Sequence, residues 1–134
     1  MIKRAAIIFG WVFLLVGIMG FIPGLTSRVP VGEDYSYLLG IFAVDGLHNW
    51  VHILTGIVAL IVGYRSEAAS QLYFRIFGIL YTLVALLGFI YGNSPLLGVM
   101  AHNITDAVFH LLIAVIALYL GFAVRLQIRR ERTA

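Results

Sequence analysis

The chain has 134 residues, enough for one domain. Hydrophobic residues make up 62%, charged residues only 11%, and mean hydropathy is +1.02. A soluble domain carries roughly 25% charged residues, so this chain cannot cover itself with polar groups, and lipid is its expected solvent. The formal charge of +3 comes from basic residues at the ends of apolar runs, a pattern that orients a membrane protein rather than binding nucleic acid. With no cysteine, disulfides, thiolate metal sites and cysteine nucleophiles are excluded.

Four apolar runs follow one another, each near the roughly 20 residues that cross a bilayer. They are expected at about 5–22, 41–64, 74–91 and 104–124, joined by segments 23–39, 65–73 and 92–103. The first run follows Lys3 and Arg4, as a signal peptide would. Its length, the lack of a small-x-small cleavage site and its recurrence in the third run argue for a span instead. Lys3, Arg4, Arg65, Arg75, Arg125, Arg129, Arg130 and Arg132 fall on one side of these spans, and only Arg28 on the other. The positive-inside rule then places both termini in the cytoplasm. The outer loops carry Glu33 and Asp34. Trp11, Tyr64, Tyr73, Tyr91 and Tyr119 can serve as interfacial anchors or as bundle packing.

The first and third runs align without gaps: Ile8-Phe9-Gly10 with Ile76-Phe77-Gly78, and Gly20-Phe21-Ile22 with Gly88-Phe89-Ile90. The second and fourth align as well, through Leu38-Leu39-Gly40 with Leu96-Leu97-Gly98, then His52 with His110 and Gly63 with Gly121. Leucine matches are cheap in this composition, but glycine and histidine matches at fixed register are not. The expected fold is therefore all-α: a four-transmembrane-helix bundle of two tandem two-helix repeats, at about 5–64 and 74–124, related by a pseudo-twofold along the membrane normal. The first outer loop holds an insertion around 26–37, a candidate contact for an outer partner or simply a solvated loop.

The second span carries Asp45, His48, Asn49 and His52 on one stripe at helical spacing, continued by Gly56, Ala59 and Gly63. The fourth repeats the pattern with Asn103, Asp106 and His110, then Ala114, Ala117 and Gly121, with His102 just before it. Small residues allow close helix approach in lipid, so spans 2 and 4 are expected to touch along their small halves. Ionisable groups at this depth cost a few kcal/mol each and normally face partners inside the bundle. Repeat symmetry pairs His48 with Asp106, Asp45 with Asn103, and His52 with His110. The plainest reading is a polar clamp between the repeats. Next comes a metal or haem site, since imidazole and carboxylate are common ligands for Zn, Fe, Mn or Cu and two facing histidines can bind haem axially. Third is a proton or small-solute path. No HExxH or Glu-x-x-His motif is present, and no reaction motif marks an enzyme.

The segments IIFGWVFLLVGIMGFIPGL, LLGIFAVDGLHNWVHILTGIVAL and YFRIFGILYTLVALLGFI resemble a bacterial membrane-protein family catalogued as domain of unknown function 4383. The resemblance runs from about Ile7 to Phe122. It is most specific at Gly46-Leu47-His48-Asn49 with His52, echoed by Asn103, Asp106 and His110. Asp45 stands where the family leads one to expect Asn. The resemblance implies four helices in a bacterial inner membrane and brings no activity. The expected function is accordingly a small structural or accessory membrane protein in the lipid bilayer, acting as a subunit of a larger complex or as a homo-oligomer. A His/Asp metal- or haem-binding redox protein and a transport component are the alternatives.

Overall fold

The computed structural model describes residues 1–29 and 34–124, so Glu33 and the basic residues from Arg125 onward lie outside the described residues. The chain runs α1 (Ile2–Met19), β1 (Thr26–Arg28), β2 (Ser36–Leu38), β3 (Phe42–Val44), α2 (Gly46–Arg65), α3 (Glu67–Tyr91) and α4 (Ile104–Leu118). A π-helical turn, Tyr119–Ala123, ends it. Counting that turn with α4, the four helices have 18 to 25 residues and are apolar enough to cross a membrane.

Local chemistry sets the helix ends. Asp45 caps α2, and its carboxylate accepts the His48 N–H at 2.7 Å. Ser66 ends α2 and caps α3 at once, its hydroxyl accepting the Ala69 N–H at 3.1 Å. The expected connector at 65–73 is thus one residue: Glu67, Ser70 and Gln71 are polar yet helical, and α3 extends past its apolar run. Gly92, at φ +62°, stops α3 in a conformation that side chains rarely adopt. Asn103 and Asp106 form a reciprocal capping box on α4. At the far end Arg75 Nε donates to the Gly121 carbonyl and Gln71 Nε2 to the Val124 carbonyl, both at 2.7 Å. These bonds satisfy carbonyls where the π turn leaves the regular ladder.

The second expected span begins too early. Residues 42–44 are apolar but belong to an antiparallel sheet ordered β1-β2-β3, with Thr26 opposite Leu38 and Ser36 opposite Val44. The sheet covers the end of the bundle at which α2 and α4 begin. Leu38 and Ala43 are buried beneath it, as are Leu96 and Ala101 in the turn before α4.

α1 packs along α2, and α3 along α4. The small residues make these seams. A methyl on Gly56 would meet the Leu14 N and Gly10 O atoms of α1 at 2.6 and 2.7 Å, and one on Gly63 would meet Ile7. A methyl on Gly121 would meet the backbone of Arg75 on α3. This corrects the expected seam between α2 and α4: Gly56 and Gly63 face α1, and Gly121 faces α3. A stripe of small residues says that a backbone comes close, not which one. Ala59, Ala114 and Ala117 are wholly buried.

The bundle core is aromatic. Phe13 of α1 packs edge-on to Phe77 of α3 at 5.4 Å, and Phe77 stacks on Tyr81 at 4.1 Å between ring centres. Tyr73 joins this cluster by stacking on Phe77. Trp11, Tyr64 and Tyr119 instead point outward, where an interfacial anchor would sit.

Candidate functional site

The polar side chains gather between this aromatic core and the sheet. His48 is 2% exposed, Asp106 3% and His110 5%, and Asn49, His102 and Asn103 are buried too. The helical stripe groups His48, Asn49, Asn103, Asp106 and His110, and His102 precedes it. Their bonding differs from simple pairing across a symmetry axis.

The carboxylates are consumed by main-chain amides. Asp45 holds the His48 N–H with Oδ1 and the Ala101 N–H with Oδ2, the latter at 2.6 Å. Asp106 Oδ2 accepts the N–H groups of Asn103 at 2.9 Å and Ala43 at 3.2 Å. Asn103 returns the cap to Asp106 N and donates Nδ2–H to the Ile41 carbonyl at 2.8 Å. Helix α2 is thereby tied to the turn before α4, and α4 to β3. Instead of His48 meeting Asp106 directly, both hold the main chain of Ala43, one at its carbonyl and the other at its amide. Asp45 and Asn103 likewise bind backbone, not each other. Lone apolar runs gave no hint of these amide partners, because any residue type can supply a backbone N–H.

The histidines are left over. His48 Nδ1 lies 3.0 Å from the carbonyl oxygens of both Ala43 and Ala101. Carbonyls only accept, so Nδ1 carries the proton, and in the neutral ring Nε2 keeps its lone pair. That Nε2 is buried without a partner, as are His52 Nδ1 and His110 Nδ1. One ring nitrogen from each of His48, His52 and His110 lies within 4.8 Å of the other two. His48 and His52 rings are 4.6 Å apart by their centres, and His52 faces His110 edge-on at 6.2 Å. Phe13 backs His52 at 5.2 Å and Tyr81 backs His110 at 5.1 Å, holding both imidazoles from the core side. Neither aromatic residue stood out in the sequence, since both read as ordinary core at helical spacing.

His102 stands beside the trio, its ring 6.2 Å from that of His110 and its Nδ1 3.2 Å from the Gly92 carbonyl. Burial holds its pKa below the usual histidine value, against the opposing pull of that carbonyl. Asn49 faces α1 instead, with its carboxamide where a methyl on Gly20 would fall, and its Oδ1 has no hydrogen-bond partner.

A cavity of about 230 Å³ opens on the trio. Its walls are Val12, Phe13 and Val16 of α1, Phe109 and Ile113 of α4, and Leu38, Phe42 and Val44 of the sheet. Its polar part is His48, His52, Asp106 and His110. Three imidazole nitrogens within 4.8 Å of one another beside an open cavity suit a tetrahedral metal ion that keeps an open position. Such an ion, at 2.0–2.1 Å from each nitrogen, needs ligand atoms roughly 3.4 Å apart, so nitrogens within 4.8 Å of one another must draw closer to hold it. The His48 Nδ1–H···O=C contacts are the outer-shell arrangement that fixes a ligating imidazole. A porphyrin does not fit: the cavity is smaller than the roughly 300–1,000 Å³ of ordinary drug-sized sites.

A family model described as a domain of unknown function (DUF4383) matches residues 3–123. Among curated proteins and among solved structures nothing matches.

Proposed function

Because the chain belongs to the family described as a domain of unknown function (DUF4383), which brings no activity with it, we propose from the geometry that it is a membrane protein holding a transition-metal ion of the zinc class on His48, His52 and His110. The observation that carries this reading is the clustering of His48, His52 and His110, one ring nitrogen from each lying within 4.8 Å of the other two and each ring having a buried nitrogen without a protein partner. Buried polar atoms are nearly always satisfied, so three unpartnered imidazoles in one cluster call for a ligand. Imidazole binds Zn, Cu, Fe and Ni, with affinity rising toward copper. Asp106 lines the same cavity and offsets part of the ion's charge.

The clamp expected from the sequence has its place beside the metal site. Asp45, Asn103 and Asp106 spend their polar atoms on backbone amides and carbonyls, which ties the sheet end together. If the histidines only extend that clamp, the protein is an accessory structural component and its stability is indifferent to metal. Thermal unfolding of detergent-purified protein separates the two. On the metal reading, a strong chelator lowers the unfolding midpoint and added Zn²⁺ restores it, and neither effect survives in a His48→Ala/His110→Ala variant. Identical midpoints with chelator and with Zn²⁺ contradict it.

The bundle sits in a bacterial inner membrane with both termini cytoplasmic, an orientation supported by the one-sided distribution of Lys and Arg. It is built as two tandem hairpins related by a pseudo-twofold along the membrane normal. Support comes from contacts that recur at equivalent positions. Gly10 faces Leu60 as Gly78 faces Leu118, and Gly63 faces Ile7 as Gly121 faces Arg75. The two outer turns also match: Leu39 and Gly40 have φ of 53° and 72°, Leu97 and Gly98 of 54° and 72°. On this view His52 and His110 are counterparts, and the trio is completed by His48 because its own counterpart is Asp106.

A further inference from the structure

The cavity beside the trio lies between α1 and α4, which share no packed interface among the described residues. Each of the other neighbouring pairs around the bundle is packed, α2 against α3 included. The α1–α4 gap is therefore the unpacked side of the cavity. Val12 of α1 and Phe109 of α4 stand on its two sides and are 52% and 46% exposed, so the gap reaches the molecular surface at the height of the helices. That surface faces acyl chains in the membrane reading above.

We propose that this gap admits a neutral, lipid-soluble molecule whose hydroxyl or carbonyl oxygen takes the open position of the metal on His48, His52 and His110; the proposal rests on the metal reading. Three observations set the chemistry. Eight of the twelve lining residues carry wholly apolar side chains, and apolar cavities of this order hold apolar ligands rather than water. The polar residues are all at one end, so the occupant has an apolar body and a single polar terminus. No Lys or Arg lines the cavity, and an anion entering through the bilayer bears a heavy desolvation cost. Three histidines leave the ion a vacant position, and a neutral oxygen donor fills it without altering the charge of the site.

The test uses the full-length protein in detergent, loaded with Co²⁺, whose visible spectrum reports its coordination. Titration with 1-decanol or 2-undecanone should shift that spectrum saturably, whereas n-decane should leave it unchanged and decanoate should bind at least tenfold more weakly. Val16→Trp, which fills the cavity from α1, should abolish the shift; Leu86→Trp, on an exposed position of α3, should keep it. Co²⁺ bound through the trio with no response to either oxygen probe overturns this inference and leaves the metal reading standing. So does an equal response to n-decane, a preference for decanoate, or a shift that persists in Val16→Trp. Absence of any histidine-dependent Co²⁺ band overturns the metal reading itself, and this inference with it.

Discussion

The Asp45 carboxylate, at the start of α2, accepts the amide proton of Ala101, just before α4, at 2.6 Å and across 56 residues of chain. The same carboxylate caps its own helix through His48 N, so one side chain closes α2 and fastens it to the opposite hairpin. Asp45→Ala removes a cap, worth about 1–2 kcal/mol, and strands the Ala101 amide, at about 1–3 kcal/mol more. Asp45→Asn has only one oxygen for two donors, so it should recover part of the loss. Thermal unfolding in detergent checks the order: wild type above Asn, Asn above Ala. An Ala variant as stable as the wild type would show that the contact carries no weight.

The seams make a second prediction. Gly56 leaves no room for a methyl against the α1 backbone, whereas around Gly46, at the first position of α2, there is nothing within 4 Å. Gly56→Ala should destabilise by about 1–3 kcal/mol through overpacking. Gly46→Ala should be neutral or slightly stabilising, because alanine is the better helix former. Denaturation of both variants side by side gives the comparison, and equal effects would contradict the packing account.

A third prediction concerns pH. Burial keeps the folded-state pKa of His102 below its ordinary value of 6.5. Below that value the unfolded chain takes up the proton more readily than the folded one, so the contribution of His102 is complete above pH 6.5 and shrinks as pH falls. His102→Gln should therefore flatten the loss of stability between about pH 7 and pH 5. The readout is the difference in unfolding midpoint between wild type and variant at each pH. A constant difference across that range would rule His102 out as a contributor.

Orientation is tested separately. Reporter fusions after Ala134 and within the loop at 26–37 should report cytoplasm and periplasm respectively. A periplasmic signal from the C-terminal fusion would reverse the assignment.

The four long helices were legible because each follows an apolar run of about twenty residues, the length that crosses a bilayer as a helix. Their edges were less so. Residues 67–73 look like a loop by polarity, yet Ser66 nucleates a helix through them. Ile41–Val44 reads as membrane by hydropathy, and three-residue strands are too short to show a period of two. The polar stripe likewise grouped the residues that lie together at the sheet end of the bundle. It could not show that the acids serve backbone amides, while buried ring nitrogens of His48, His52 and His110 have no protein partner.

The central claim is that His48, His52 and His110 form one metal site, and metal content per chain tests it most directly. Protein purified in detergent and equilibrated with Zn²⁺, then freed of unbound ion, should retain one ion per chain. Each of His48→Ala, His52→Ala and His110→Ala should reduce retention at least tenfold, consistent with the loss of a ligand from a three-histidine site. Asn49→Ala, whose carboxamide faces α1, should retain the ion. A wild-type protein that retains none, or single variants that retain as much as the wild type, would contradict the account.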